Sequence, residues 1–172
     1  MNKYALLLLP VLLSGCGLTQ TISEGTASAA KSLFYKQIKT LHLDFTAREA
    51  LNTDARESGS LSEPLMIRIY QLRDRKAFDK AVYEQLLKSG DDALGSDLLA
   101  TRDVVVKPGG DANLNMPMNE ETQFVAVVGL FRQPDTQKNH WKLVLAREGL
   151  DPDKPRIIEP GSNDLTLLPE KK

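Results

Sequence analysis

The 172-residue chain contains one cysteine, Cys16. With no second thiol there is no internal disulfide, so a fold must draw its stability from an apolar core. Histidine is almost as scarce. His42 and His140 are the only two, and neither stands in a metal-ligand spacing such as HExxH. No GxSxG elbow is present, which removes the usual setting of a serine nucleophile. The stretch PGGDAN at 108–113 lacks the spacing of a phosphate-binding loop. Two adjacent carboxylate pairs occur, Asp91-Asp92 and Glu120-Glu121. Neighbours in a strand point to opposite faces, so neither pair makes an acid–base dyad by itself. A basic excess is also missing. Lys and Arg total 22 against 23 Asp and Glu, a net charge of −1, which speaks against nucleic acid as a partner. These absences lead us to expect no enzyme, no cofactor and no metal. There is no internal repeat and no low-complexity tract.

A long hydrophobic run is lacking too. Tyr4 to Leu13 is apolar apart from the interruption at Pro10. As a helix it would extend roughly 15 Å, against a hydrocarbon core of about 30 Å, so it is too short to span a bilayer. Preceded by Lys3, it matches the apolar region of a secretory signal peptide. Ser14 and Gly15 then lead into Cys16. In this position Leu13-Ser14-Gly15-Cys16 resembles the lipobox of bacterial lipoproteins; the plainer alternative is an ordinary signal peptide ending near a cysteine. The resemblance implies that residues 1–15 are a signal peptide cleaved before Cys16. It also implies a diacylglycerol on the Cys16 thiol and acylation of the new amino group. Each buried methylene contributes about 0.8 kcal/mol, and two such signals suffice for stable anchoring. Gly17 and Leu18 follow the cysteine in place of an Asp. By the same resemblance this implies the outer membrane, with the domain facing the periplasm. Residues 16–36 then read as the lipidated cysteine and a small, polar tether, with an r.m.s. reach of roughly 20–25 Å for about 16 residues. A short helix over Ala27–Tyr35 is the alternative.

The remaining segment, 37–172, suits one domain. LHLDF (41–45) alternates, with Leu41, Leu43 and Phe45 on one face, as a half-buried strand does. LMIRIYQL (65–72) repeats the pattern, with Leu65, Ile67 and Ile69 opposite Arg68 and Tyr70. The period then changes. Phe78, Val82 and Leu86, extended by Tyr83 and Leu87, predict one amphipathic helix of three to four turns, with Gly90 as its C-terminal cap. TRDVVVK and ANLNM read as a strand and its return strand about a tight turn at Pro108-Gly109-Gly110. QFVAVVGLF is apolar on both faces and predicts a central strand. WKLVLA, RII and LTLL complete seven or eight strands. Short strands with turn signals and one helical insert predict a mainly β, two-sheet sandwich.

Between the first two strands lies Ala47–Glu63, longer than the 12–15 residues beyond which an unstructured connection is usually functional or disordered. It mixes apolar Ala50, Leu51 and Leu61 with charged Arg48, Glu49, Asp54, Arg56 and Glu57. An exposed Leu51 ringed by such charges would suit a docking surface; the bland reading is a solvated loop.

The lipobox, the tether, the loop carrying Leu51-Asn52 and Asp54, the strand RIYQL after Pro64, and GSDLLATRDVVVKPGG at 95–110 occur in one order. Together they resemble the outer-membrane lipoprotein of the type VI secretion system, the family called TssJ, SciN or VasD. One departure is Thr53, where the family pattern has Pro. The resemblance implies a transthyretin-like β-sandwich without catalytic activity. It implies that the lipoprotein binds the periplasmic C-terminal region of the inner-membrane protein TssM directly, and TssL through TssM. Its principal binding feature would be the loop, here Arg48, Glu49, Ala50, Leu51, Asn52, Thr53, Asp54, Ala55, Arg56 and Glu57; within it Leu51 is our candidate apolar anchor, with Asn52, Asp54 and Arg56 as polar contacts around it. The competing function, a lipoprotein that carries a small ligand or lipid, would need an apolar cavity of several hundred Å³.

Overall fold

The computed structural model describes residues 37–59 and 61–170. The expected signal peptide, Cys16, the tether and the alternative helix at Ala27–Tyr35 lie outside these residues.

The element order is β1 (Thr40–Thr46), β2 (Leu65–Leu72), α1 (Lys76–Lys80), α2 (Tyr83–Leu94), β3 (Leu98–Val106), β4 (Asp111–Pro117), β5 (Phe124–Gly129), β6 (Lys142–Ala146), β7 (Arg156–Pro160) and β8 (Leu165–Leu167). The strands form two four-stranded sheets, ordered β4-β1-β7-β8 and β3-β2-β5-β6. This is a β-sandwich. Its buried cluster joins Leu41, Leu43 and Phe45 of β1 to Leu65, Ile67 and Ile69 of β2. Each is within 1% of complete burial, and sequestering such a side chain stabilises the fold by roughly 1.5–3 kcal/mol. β5 sits inside its sheet, between β2 and β6, and its residues Val125–Val128 are all buried. That placement explains the unbroken apolar run.

Three expectations need correction. Gly109 does provide a positive-φ turn (φ 64°), but β3 and β4 are not a hairpin. β3 pairs with β2, and β4 pairs with β1. The turn therefore carries the chain from one sheet to the other. The single amphipathic helix is really two. The backbone is extended at Ala81 and Val82, leaving Val82 58% and Leu87 40% exposed while Phe78, Tyr83 and Leu86 are buried. The break is held by Lys142 of β6. Its Nζ donates to the carbonyls of Phe78, Asp79 and Ala81 at 3.2, 3.3 and 3.1 Å, meeting groups that a helix end leaves unpaired. Finally, the cap at the end of α2 is Gly95 (φ 52°) rather than Gly90. Gly90 lies over the ring of Tyr70, where a Cβ would collide with the Tyr70 hydroxyl. Covered in this way, Tyr70 is buried, although strand alternation places it on the polar face.

Candidate functional site

The connection between β1 and β2 is folded against the rest of the domain. Ala47 N–H donates to the Gly110 carbonyl and Arg48 N–H to that of Pro160. Further along, the N–H groups of Asn52 and Thr53 donate to the carbonyls of Gly161 and Ser162, both at 3.1 Å. The start of the loop thus runs beside the β7–β8 turn and takes its shape from it. The return arm is tied to the outgoing arm by Glu63 N–H donating to the Leu51 carbonyl. Ser62 Oγ donates to the Glu49 carbonyl.

Asn52 is the pivot. Its φ is 48°, a left-handed conformation that Asn tolerates better than most residues. Its side chain is buried and bonded at both ends. Nδ2 donates to the Pro64 carbonyl, and Oδ1 accepts the Arg132 backbone N–H at 2.8 Å. Beside it Leu51 is 0% exposed. The expected surface anchor is therefore a core residue, because pairing with Gly161 and Ser162 turns this arm inward. Asn52 and Asp54 are likewise buried, and Thr53 is half-buried.

The outward face of the loop carries Arg48, Glu49, Ala50, Ala55, Arg56 and Glu57, all exposed. Arg48 pairs with Glu159 at 2.6 Å. Ala55 N–H donates to Gln133 Oε1. Leu61, at 74% exposure, is the large apolar side chain that the loop offers to solvent. Sequence reasoning noted Leu61 but chose Leu51, since an isolated leucine in a polar segment shows no period to reveal its direction.

Arg132, in the β5–β6 connection, was not anticipated. Nothing in the sequence around it signals its role. Its Nε and Nη2 donate to the Asn52 carbonyl (3.2 and 3.1 Å), and Nη2 also donates to the Leu61 carbonyl (3.1 Å). Nη1 faces Glu57 and Glu63, each at 3.3 Å. Arg132 also lines a groove of about 450 Å³ with Val82, Tyr83, Leu87, Phe131 and Pro134. The groove is open at the surface, unlike the enclosed cavity a lipid carrier would need. His42 is half-buried against Asn115, and His140 is exposed. Among the described residues no three His, Cys, Asp or Glu side chains gather as metal ligands would.

Asp54 accepts both arms of the Arg56 guanidinium at 2.9 and 2.7 Å, and also the Arg56 backbone N–H. The side-chain bonds from Arg56, followed by the backbone bond, hold its carboxyl down at about 2. A depressed carboxylate stabilises the fold at pH values above the unfolded pKa of about 3.9 and ceases to do so as pH falls through the folded value. The loop tip should therefore keep its form at pH 4 and lose this support between about pH 4 and 2. Carbon-detected NMR titration should place the Asp54 midpoint near 2, rising in Arg56→Ala. A wild-type midpoint near 4 would refute the pairing.

The family model described as "Type VI secretion lipoprotein, VasD, EvfM, TssJ" matches residues 39–167, which is most of the chain. The chain belongs to the type VI secretion lipoprotein family. A solved structure described as "Type VI membrane complex" contains a chain 45% identical to this one. It superposes with a TM-score of 0.72 and covers 77% of this chain and 100% of that one. A chain of another, described as "T6SS protein TssM C-terminal domain (869-1107) from EAEC", has the same identity and coverages with a TM-score of 0.69. Serratia marcescens Lip, described as a membrane-bound component of the type VI secretion system, shares the fold at 19% identity. Its TM-score is 0.67, with coverage of 76% of this chain and 98% of that chain. Among curated proteins no relative matches.

Proposed function

We propose that this lipoprotein is anchored to the outer membrane by acyl chains on Cys16 and faces the periplasm. There it holds the periplasmic C-terminal region of the inner-membrane protein TssM, and TssL through it, as a non-catalytic part of the secretion membrane complex. One observation carries the partner assignment. In the structure described by the TssM segment 869-1107, the matched chain is covered completely by 77% of this one. That segment is longer than all 172 residues here. This supports reading the matched relative, like this chain a lipoprotein of the family, as a second component of that structure and not as the TssM segment.

The β1–β2 loop supplies the docking face, with Leu61 as its apolar anchor and the exposed Glu49, Ala55, Arg56 and Glu57 of the same loop as its rim. An apolar side chain exposed among charges fits the pattern of an anchor with a polar rim. Calorimetry of the soluble 17–172 protein against the purified TssM periplasmic domain tests this reading. Leu61→Asp should weaken binding about tenfold or more, the equivalent of about 1.4 kcal/mol, without changing the melting temperature. Unaltered affinity in Leu61→Asp would remove the loop from the interface.

A further inference from the structure

Arg132 touches the β1–β2 loop at its pivot, its tip and its return arm. The guanidinium has five N–H donors in a fixed fork, and acceptors are present for all of them. Nε and one Nη2 proton face the Asn52 carbonyl, and the other Nη2 proton faces the Leu61 carbonyl. The two Nη1 protons face Glu57 and Glu63. The residue's own backbone N–H is held by Asn52 Oδ1. Only a quarter of the side chain is exposed, so little of it is left to meet a partner. Meanwhile the carbonyl it fixes belongs to Leu61, the apolar side chain left 74% in solvent.

We propose that Arg132 is a positioning residue of the docking surface, which holds the loop in its partner-ready shape before the partner arrives. The proposal rests on the reading that this loop docks TssM. A loop already ordered loses less conformational freedom on association, so rigidifying it in the bound shape raises affinity without adding a contact. The shape of its head group makes Arg the required residue. Its fork spans two carbonyls and two carboxylates at once, whereas a lysine ammonium has three donors on a point charge.

The experiment combines affinity, stability and amide exchange on the soluble 17–172 protein, with purified TssM periplasmic domain as the ligand. Arg132→Ala should weaken binding by about tenfold or more, because the loop must then be ordered at the moment of association. The Glu57 and Glu63 amides, bonded to the Asp54 and Leu51 carbonyls, should exchange at least about tenfold faster, while amides of β5 keep their protection. Arg132→Lys is the conservative variant and should keep the fold. It should sit between wild type and Arg132→Ala in both affinity and exchange. The charge-swapped pair Arg132→Glu with Glu57→Arg restores an ion pair but no donor to the Asn52 and Leu61 carbonyls, so it should not recover affinity. Full recovery by the swap would overturn the proposal in favour of simple charge pairing. Unchanged affinity in Arg132→Ala beside weakened Leu61→Asp would overturn it while leaving the loop as the docking face. Unchanged affinity in both variants would overturn the docking reading itself.

Discussion

Cys16→Ser takes the protein out of the outer-membrane fraction and leaves its domain folded. The expectation joins two observations. The chain's one thiol stands behind a short apolar run, and among the described residues no helix is long and apolar enough to cross a membrane. If the acyl chains are the anchor, their removal forfeits about 0.8 kcal/mol for every buried methylene, far more than a polar tether could replace. The sandwich itself contains no cysteine, so its core is untouched. Radioactive palmitate labelling followed by density-gradient fractionation provides the measurement. Wild type should carry label into the outer-membrane band, and Cys16→Ser should stay unlabelled and absent from that band. An unlabelled wild type together with a Cys16→Ser protein that still cofractionates with the outer membrane would defeat the anchoring argument.

Leu51→Ala destabilises the domain by about 2–5 kcal/mol, the range for truncating a fully buried leucine. This reverses the simplest view of the loop as a detachable appendage. Leu51 joins the core cluster, and its neighbours are bonded to the β7–β8 turn, so replacing 48–61 wholesale with a flexible linker would remove a core side chain along with the docking face. Urea denaturation of the soluble protein should show the midpoint falling for Leu51→Ala and nearly constant for a polar change at Leu61, since exposed positions usually lie within about 0.5 kcal/mol. A shift for Leu51→Ala smaller than that would mean that the loop is not seated as described.

What could be read from the sequence was whatever has a period. LHLDF and the first half of LMIRIYQL alternate because one face of each meets the core, and QFVAVVGLF does not alternate because β5 is covered on both sides. The failures share a different cause. Leu51 has no apolar neighbours at regular spacing, and its inward turn is dictated by Gly161 and Ser162, far along the chain. The stripe Phe78, Val82, Leu86 runs unbroken through the junction of α1 and α2. No Pro or Gly marks the break, which depends on the Lys142 ammonium from β6. The turn at Pro108-Gly109 signals a reversal correctly, yet turn chemistry does not say whether the chain returns to the same sheet or crosses to the other. The loop was recognised as the candidate site by its length, whereas Arg132 was invisible because its partners are two backbone carbonyls, which every sequence has, and two carboxylates some 70 residues away in the chain.

The parallel pairing of β1 with β7 has a consequence for how the molecule can form. Leu43 lies opposite Arg156 and Phe45 opposite Ile158, so the first strand has its partner near the far end of the chain. A connection of that span must be closed before the pairing rewards it, and topologies rich in such distant contacts fold slowly. The β2–β3–β5–β6 sheet can assemble from residues between Leu65 and Ala146. The other sheet cannot: β4 can pair with β1 early, but β1 keeps one open edge until Arg156–Pro160 arrives. A chain delivered amino end first thus waits, with its first strand unsatisfied, until nearly its last residue has emerged. An unpaired edge of that kind is open to wrong partners. For this architecture the dangerous interval lies between emergence of the first strand and emergence of the seventh, and truncation before Arg156 would make that interval permanent.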